Sequence, residues 1–335
     1  MEIKQYAPVL IPTLNRYEHF INCLESLEKC TGADKTDVYV SLDYPPSDKY
    51  KEGWQKISEY LTEKEKPNGF KCLTVIRQTK NLGVSYPSNY TFLKDLVIEK
   101  YDRYISTEDD NVFSYRFLEY INLCLDKYEN DDSVYAVTGY LTPIDMPKVE
   151  ASVMKLQEMS AWGCGFWKAK RLPQEKMMKL VDEMLTSTDL RKHFVRRRPS
   201  IYTGLMHMKS TKDIWGDCFI TAYEYYAGKY CIYPTTSLVQ NHGWDGTGTH
   251  GGVVKGFSDQ IVEGHIEQPF EIIEATSRET ALIDHAVVKY WKRYEGGIHN
   301  IVDSLEIAIY SLTGKIVMFE NLKKIYKKIR SCIQK

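Results

Sequence analysis

The 335-residue sequence lacks several features that would assign it to a class at once. Its formal net charge is −1, so it has no basic excess, and nucleic acid is not expected as a partner. Its eight cysteines include no C-x-x-C pair, so neither a zinc site nor a disulfide framework is indicated. No run of about 18 apolar residues could span a bilayer, and the N-terminus lacks the apolar stretch of a signal peptide. A reducing cytosol is the expected location.

Strand and helix patterns alternate through residues 1–140. Short apolar runs typical of strands lie at 7–11, 37–42, 71–76, 103–107 and 134–138, with amphipathic helical patterns between them. This alternation predicts an α/β fold with a mostly parallel sheet flanked by helices. Ligands of such sheets bind beyond the carboxyl ends of the strands. The polar residues that follow each strand are therefore the candidate site.

The fourth predicted strand ends at three consecutive carboxylates, Glu108, Asp109 and Asp110. Three such side chains at the end of a buried strand repel one another and lose solvation. A divalent cation beside a diphosphate removes that cost, since hard carboxylate oxygens suit Mg²⁺ or Mn²⁺. The alternative is an ordinary acidic turn in which Asn111 caps the next helix.

Three more polar clusters follow predicted strands, and all four are expected to converge on one crevice. Asp43 can accept a hydrogen bond from a uracil-like base or from ribose hydroxyls. The planar fork of Arg16 suits a base or a phosphate. Asn81 and Gly83 allow the backbone to approach a ligand closely. Taken singly, each residue is also compatible with simple turn chemistry.

The order of the motifs along the chain resembles the nucleotide-sugar glycosyltransferases of the GT-A fold. The opening segments 9–16 and 23–27 resemble glycosyltransferase family 2. The later motifs are more similar to the N-acetylglucosaminyltransferase I type. These are the acidic triplet, the small and aromatic segment 162–167, the Trp-Gly-Asp step 215–217, and a proline-led strand that enters the Gly-rich loop 241–252. The resemblance covers residues 7–252.

Carried over to this chain, the resemblance implies a metal-dependent and inverting sugar transfer. The donor would be a nucleotide diphosphate sugar, with UDP favoured, and the acceptor a saccharide or lipid-linked saccharide in bacterial surface polysaccharide or glycan synthesis. Asp110 would bind Mn²⁺ or Mg²⁺, and Asp217 would be the catalytic base, with capping of the helix at 218–227 as its alternative role. The residues implied to contact the donor are Pro12, Thr13, Asn15, Arg16, Asp43, Asn81, Gly83, Glu108, Asp109 and His250.

Two other functions fit a similar sheet. A sugar-1-phosphate nucleotidyltransferase would carry a Gly-rich loop followed by Thr-Arg after the first strand, whereas residues 11–16 contain no glycine. A non-catalytic nucleotide- or carbohydrate-binding module would not need both Asp110 and Asp217. In the Gly-rich loop, His242 departs from the family pattern. It is either an extra metal ligand or a hydrogen-bond donor to a phosphate.

The predicted organisation is a catalytic domain followed by a helical extension. Residues 1–255 form the GT-A domain, with a nucleotide-sugar-binding half at 1–140 and an acceptor half with the Gly-rich loop at 141–255. Residues 256–335 are mainly helical. Segment 315–335 predicts a basic amphipathic helix that lies on an anionic membrane surface, which would place the enzyme on the inner face of the cell membrane. Packing on its own protein or on a second subunit, as a homo-oligomer, is the alternative.

Overall fold

The computed structural model describes residues 3–66, 68–248 and 253–319, and it is an α/β fold. The strands are β1 (Val9–Thr13), β2 (Asp37–Leu42), β3 (Cys72–Arg77), β4 (Arg103–Ser106), β5 (Asn111–Phe113), β6 (Val134–Thr138), β7 (Val153–Leu156), β8 (Cys164–Trp167), β9 (Tyr230–Pro234) and β10 (Val239–Asn241). The α-helices are α1 (Tyr17–Glu28), α2 (Lys51–Lys64), α3 (Asn89–Ile98), α4 (Phe117–Lys127), α5 (Gln174–Thr186), α6 (Thr188–Arg197), α7 (Pro199–Thr211), α8 (Gly216–Ala227), α9 (Lys255–Ser258), α10 (Ser277–Glu295) and α11 (Gly297–Thr313).

Eight strands form one sheet in the order β3-β2-β1-β4-β8-β6-β9-β7. Strands β8 and β7 run antiparallel to their neighbours, and the other six point the same way. The predicted α/β class with a mostly parallel sheet and flanking helices is confirmed. The predicted bounds of β2 and β6 match the observed ones, whereas β1 begins at Val9 rather than at residue 7.

The sheet is buried on both faces, which explains the continuous apolar runs of its strands. Successive side chains of β1 point to opposite faces: Val9 packs with Phe20 of α1, and Leu10 packs with Leu93 of α3. All four are fully buried, and each burial of this kind stabilises the fold by about 1.5–3 kcal/mol. The two helix layers therefore fix β1 firmly and hold its carboxyl end in place.

A separate two-stranded ribbon joins the acidic triplet to the Gly-rich loop. Strands β5 and β10 pair antiparallel, with Asn111 opposite Asn241. The proposed capping role of Asn111 is wrong, because Arg116 is the N-cap of α4 and makes no side-chain capping bond. Asn111 instead belongs to a strand that begins directly after Asp110.

The C-terminal part of the described chain is mainly helical, as predicted, with residues 259–276 outside the helices; α11 ends at Thr313, and Gly314 follows it with a left-handed φ of 68°. Residues 315–319 are not helical, and the backbone N–H of Phe319 donates to Glu306 at 2.5 Å. The predicted start of a basic helix at residue 315 is therefore wrong, and residues 320–335 lie outside the described part. No described helix is long and apolar enough to cross a membrane. The proposed domain boundaries stay a prediction.

Candidate functional site

The carboxyl ends of β1, β2 and β4 meet at one edge of the sheet. The backbone N–H of Asp43 donates to the carbonyl of Thr13 at 2.9 Å. The Thr13 hydroxyl donates in turn to Asp109 at 2.8 Å. Pro12 precedes Thr13 in β1, and the carbonyl of Asn15 accepts from the backbone beyond it at 3.1 Å. The residues that the sequence places after these strands thus lie side by side.

Asp43 fastens the turn at 81–83 to the end of β2. Its Oδ1 accepts from the backbone N–H groups of Tyr44 and Leu82, at 2.9 and 2.8 Å. Its Oδ2 accepts from the backbone of Gly83 at 2.8 Å and from the side-chain amide of Asn81 at 3.2 Å. A carboxylate offers about four acceptor positions, so all of them are used. Asp43 therefore orders a backbone turn, and its contact with a nucleotide stays a prediction.

Arg16 lies between two carboxylates of the acidic triplet. Its Nη2 is 2.5 Å from Asp109 Oδ1 and 2.7 Å from Asp110 Oδ2. Burial alone would lower the pKa of Arg16, but the two neighbouring carboxylates outweigh that effect and raise it. Within the described residues, Arg16 is the only cationic side chain that forms an ion pair with the triplet.

Asn241 holds the beginning of the Gly-rich loop against Asp110. Its side-chain amide donates to Asp110 Oδ1 at 2.8 Å and to Asn111 Oδ1 at 2.9 Å, while its oxygen accepts from the backbone of Gly243 at 3.1 Å. The backbone of His242 donates to the Asp110 carbonyl at 2.9 Å. Gly243 must lack a side chain, because a Cβ there would lie 1.9 Å from Asp110 Oδ2. Sequence reasoning did not assign a role to Asn241; its position at the start of the loop was the available signal.

His19, a second residue that sequence reasoning missed, anchors the same loop to α1. Its Nε2 lies 3.2 Å from the carbonyl of His242 and 3.2 Å from the carboxylate of Asp245. The ring of His242 approaches Gln240, at 3.4 Å. Burial, followed by the charge of His19, lowers the pKa of His242. His250, a predicted donor contact, lies outside the described residues.

Asp217 lies in the same region as the acidic triplet. The pKa of Glu108 is raised, first by the desolvation of its carboxyl group and then by the charges of Asp110 and Asp217. The pKa of the Cys164 thiol is raised by burial and also by the charges of Asp217 and Glu108. Both residues nevertheless expose part of their surface to solvent, so screening weakens the repulsion between them. The site thus combines two buried carboxylate residues, Asp109 and Asp110, with two residues that are exposed to solvent, Glu108 and Asp217.

The local structure of α8 holds Asp217 in the first turn of the helix. The N-cap is Trp215, without a side-chain capping bond, so the alternative role of Asp217 as a helix cap is wrong. A carboxylate in a first turn is stabilised by the helix dipole. Trp215 is 44% exposed, and its ring lies 4.3 Å from that of His207. An exposed tryptophan therefore stands two residues from the candidate base.

The residues of the triplet fit a hard divalent cation by chemistry and by charge, because three carboxylates are offset by one guanidinium. Among residues 3–66, 68–248 and 253–319, however, no group of three or more His, Cys, Asp or Glu side chains is already arranged around a metal position. Both oxygens of Asp110 are engaged by Arg16 and Asn241. A cation at Asp110 therefore requires a local rearrangement of these donors.

Comparisons with known proteins give no family. No protein-family model and no curated protein matches the chain. Among solved structures, S. aureus TarS aligns with a TM-score of 0.33 and 16% identity over 55% of this chain. The chain spans only 32% of that structure's length.

Two further structures align over larger shares. S. aureus TarS 1–349 gives a TM-score of 0.38 at 13% identity, covering 67% of this chain and 92% of that one. The mannosyltransferase PcManGT from Pyrobaculum calidifontis, in complex with GDP-Man and Mn²⁺, gives 0.34 at 12% identity, covering 66% and 69%. TM-scores this low do not establish a common fold, so the functional conclusion rests on this chain's own residues.

Proposed function

We propose that the protein is a metal-dependent glycosyltransferase that moves a sugar from a nucleotide diphosphate sugar to a hydroxyl group of a saccharide. The observation that supports the proposal most is the acidic triplet at the carboxyl ends of the strands, where Arg16 lies 2.5 Å from Asp109 and 2.7 Å from Asp110 and where the charge of exposed Asp217 also acts on Glu108. One carboxylate cluster suits a cation and a diphosphate, and the separate carboxylate suits a base. The resemblance of the motif order supports the same assignment.

In the proposed reaction, Asp217 accepts the proton of the acceptor hydroxyl as its oxygen attacks the anomeric carbon. The bond from that carbon to the diphosphate breaks, and the nucleoside diphosphate leaves. When bound, a divalent cation supplies Lewis-acid stabilisation of the leaving diphosphate. Asn241 and Gly243 hold the loop beside this group, and Asp43 holds the turn at 81–83 that borders it. Attack by the acceptor from the opposite face would invert the anomeric configuration.

The acceptor is proposed to approach along Trp215. An exposed indole offers a flat apolar surface for a sugar ring, and it stands beside the candidate base. A UDP-sugar donor, a lipid-linked acceptor in bacterial surface glycan synthesis and a location at the inner face of the cell membrane belong to the proposal through the resemblance alone. Nucleotidyl transfer is disfavoured because the turn after β1 carries Arg16, paired with carboxylates, in place of glycines.

The test measures release of nucleoside diphosphate from a panel of uridine, guanosine and thymidine diphosphate sugars, with Mn²⁺ and with a chelator. Asp217→Asn is expected to lower kcat at least about 100-fold and to leave the donor-induced rise in melting temperature unchanged. Asp110→Asn is expected to abolish the metal dependence together with turnover. Asp213→Asn is the matched control, since it removes a carboxylate just before the same helix.

Two outcomes would contradict the proposal. One is the absence of metal-dependent turnover or binding with every donor. The other is an Asp217→Asn enzyme as active as Asp213→Asn, which would place the base elsewhere.

A further inference from the structure

We infer that Arg16 and a divalent cation exclude each other at Asp110: Arg16 holds this carboxylate in the free protein and turns to the donor diphosphate when the cation binds. This inference rests on the proposed metal-dependent function. It assigns to Arg16 a positioning role that couples two binding events, beyond contact with the nucleotide.

The first argument is the occupancy of Asp110. Its Oδ1 accepts from Asn241 at 2.8 Å, and its Oδ2 is 2.7 Å from Arg16 Nη2. The backbone of Gly243 lies so close to Oδ2 that no Cβ could fit. Asn241 is 1% exposed and is fixed by β10, whereas Arg16 belongs to the turn after β1. Of the two partners of Asp110, Arg16 is the one that can move.

The second argument is charge. One guanidinium offsets one negative charge of the triplet, and a divalent cation in its place offsets two. When a cation replaces Arg16, the guanidinium loses its charge-assisted hydrogen bonds to Asp109 and Asp110. Such bonds are among the stronger interactions in a protein. A diphosphate restores them, because a guanidinium binds phosphate oxygens through paired N–H donors. The movement of Arg16 away from Asp110 is therefore favourable when the cation and the donor bind together.

The third argument concerns the loop above Arg16. A Cβ on Gly243 would lie 3.0 Å from Arg16 Nη1, and a Cβ on Gly248 would lie 3.5 Å from it. The backbone at these two glycines thus lies close to the guanidinium. A change in the position of Arg16 is transmitted directly to these glycines, which border the space proposed for the diphosphate.

Exchange at Arg16 makes cation and nucleotide binding mutually dependent. A ligand that draws Arg16 away from Asp110 raises the affinity for Mn²⁺, and by thermodynamic linkage Mn²⁺ raises the affinity for that ligand by the same factor. The probe is Mn²⁺ binding to the full chain, measured from the spin-resonance signal of free Mn²⁺, with and without saturating UDP and GDP. This readout needs no turnover.

The decisive variant is Arg16→Lys, which keeps the charge but cannot span Asp109 and Asp110 with one planar group. We expect Arg16→Lys to bind Mn²⁺ about tenfold more tightly than the wild type when nucleotide is absent, and Arg16→Met to bind at least as tightly as Arg16→Lys. The increase in Mn²⁺ affinity produced by nucleotide should be large in the wild type and largely lost in both variants. Asp110→Asn gives the background Mn²⁺ binding that does not depend on this carboxylate. Circular dichroism checks that each variant is folded.

Equal Mn²⁺ affinities for the wild type and Arg16→Lys, with only Arg16→Met binding more tightly, would show a simple charge effect and overturn the inference. The transferase proposal would survive that result. Absence of Mn²⁺ binding in the wild type and in all variants would instead overturn both the inference and the metal dependence. Equal nucleotide coupling in all three proteins would likewise refute the exchange.

Discussion

Replacing Asn241 by alanine should destabilise the protein far more than the loss of one polar side chain usually does. Asn241 is buried and takes part in three hydrogen bonds, to Asp110, to Asn111 and from the backbone of Gly243. Each intramolecular hydrogen bond contributes about 1 kcal/mol, and a buried partner left without one costs about 1–3 kcal/mol. The expected loss in the free energy of unfolding is about 3–5 kcal/mol.

Asn68 provides a matched control. It also takes part in three hydrogen bonds, with the carbonyls of Lys64 and Lys66 and the backbone N–H of Phe70, at 2.7, 3.2 and 2.9 Å. These bonds are exposed or only partly buried, and water can replace a lost partner, so Asn68→Ala should cost less than about 1 kcal/mol. Urea unfolding of both variants, followed by circular dichroism, measures the difference.

The difference in stability loss between Asn241→Ala and Asn68→Ala tests whether the buried contacts of Asn241 stabilise the site. If Asn241→Ala and Asn68→Ala lose similar amounts of stability, the amide of Asn241 does not hold the β5–β10 ribbon against Asp110, and the site described here is wrong in its central contact. Asn241→Asp refines the comparison, since it keeps an acceptor for Gly243 but sets a carboxylate against Asp110. It should be destabilised at neutral pH and recover part of that loss when Mn²⁺ is added.

Further expectations concern one glycine and one buried lysine. Gly243→Ala should lower the free energy of unfolding by about 1–3 kcal/mol, because the new Cβ would overlap Asp110. The same variant should weaken donor binding in thermal-shift titrations. Gly256→Ala is the control and should have neither effect, because the space around Gly256 is open. The pKa of Lys94 is lowered from 10.5 to about 8, first by burial and then by Arg171. Charged Lys94 thus destabilises the folded state below pH 8, so Lys94→Met should raise the unfolding free energy at pH 7 by about 1–3 kcal/mol. That gain should shrink from pH 8 to pH 10.5 in urea titrations; a constant gain would contradict the buried charge.

The sequence alone predicted the parts of the fold that depend on local patterns. Strands β2 and β6 are short apolar runs bounded by breaks, and their bounds were predicted to the residue. Parallel strands end at the same edge, so the placement of Arg16 near the triplet also followed from the pattern. Metal binding at Asp110 and the catalytic role of Asp217 remain predictions.

Contacts between distant segments could not be predicted in this way. β5 and β10 have three residues each, too few for a periodic signal. Asp43 has the residue type of a ligand contact, yet backbone N–H groups about forty positions later use its oxygens. For Asp217, a shift of two residues in the start of α8 decides between a cap and a first-turn carboxylate, and helix ends are the least certain part of a sequence prediction.

The pairing of Asn241 with Asp110 and Asn111 also bears on how the protein is made. These partners are separated by 131 and 130 positions along the chain. During synthesis, β1, β2 and β4 leave the ribosome long before residue 241. The triplet therefore lacks the amide of Asn241 while the rest of the sheet is translated. Contacts of such long sequence separation form late and slow the folding of a domain. A nascent chain stopped between β9 and β10 should therefore contain every strand of the main sheet and still lack the amide that holds Asp110.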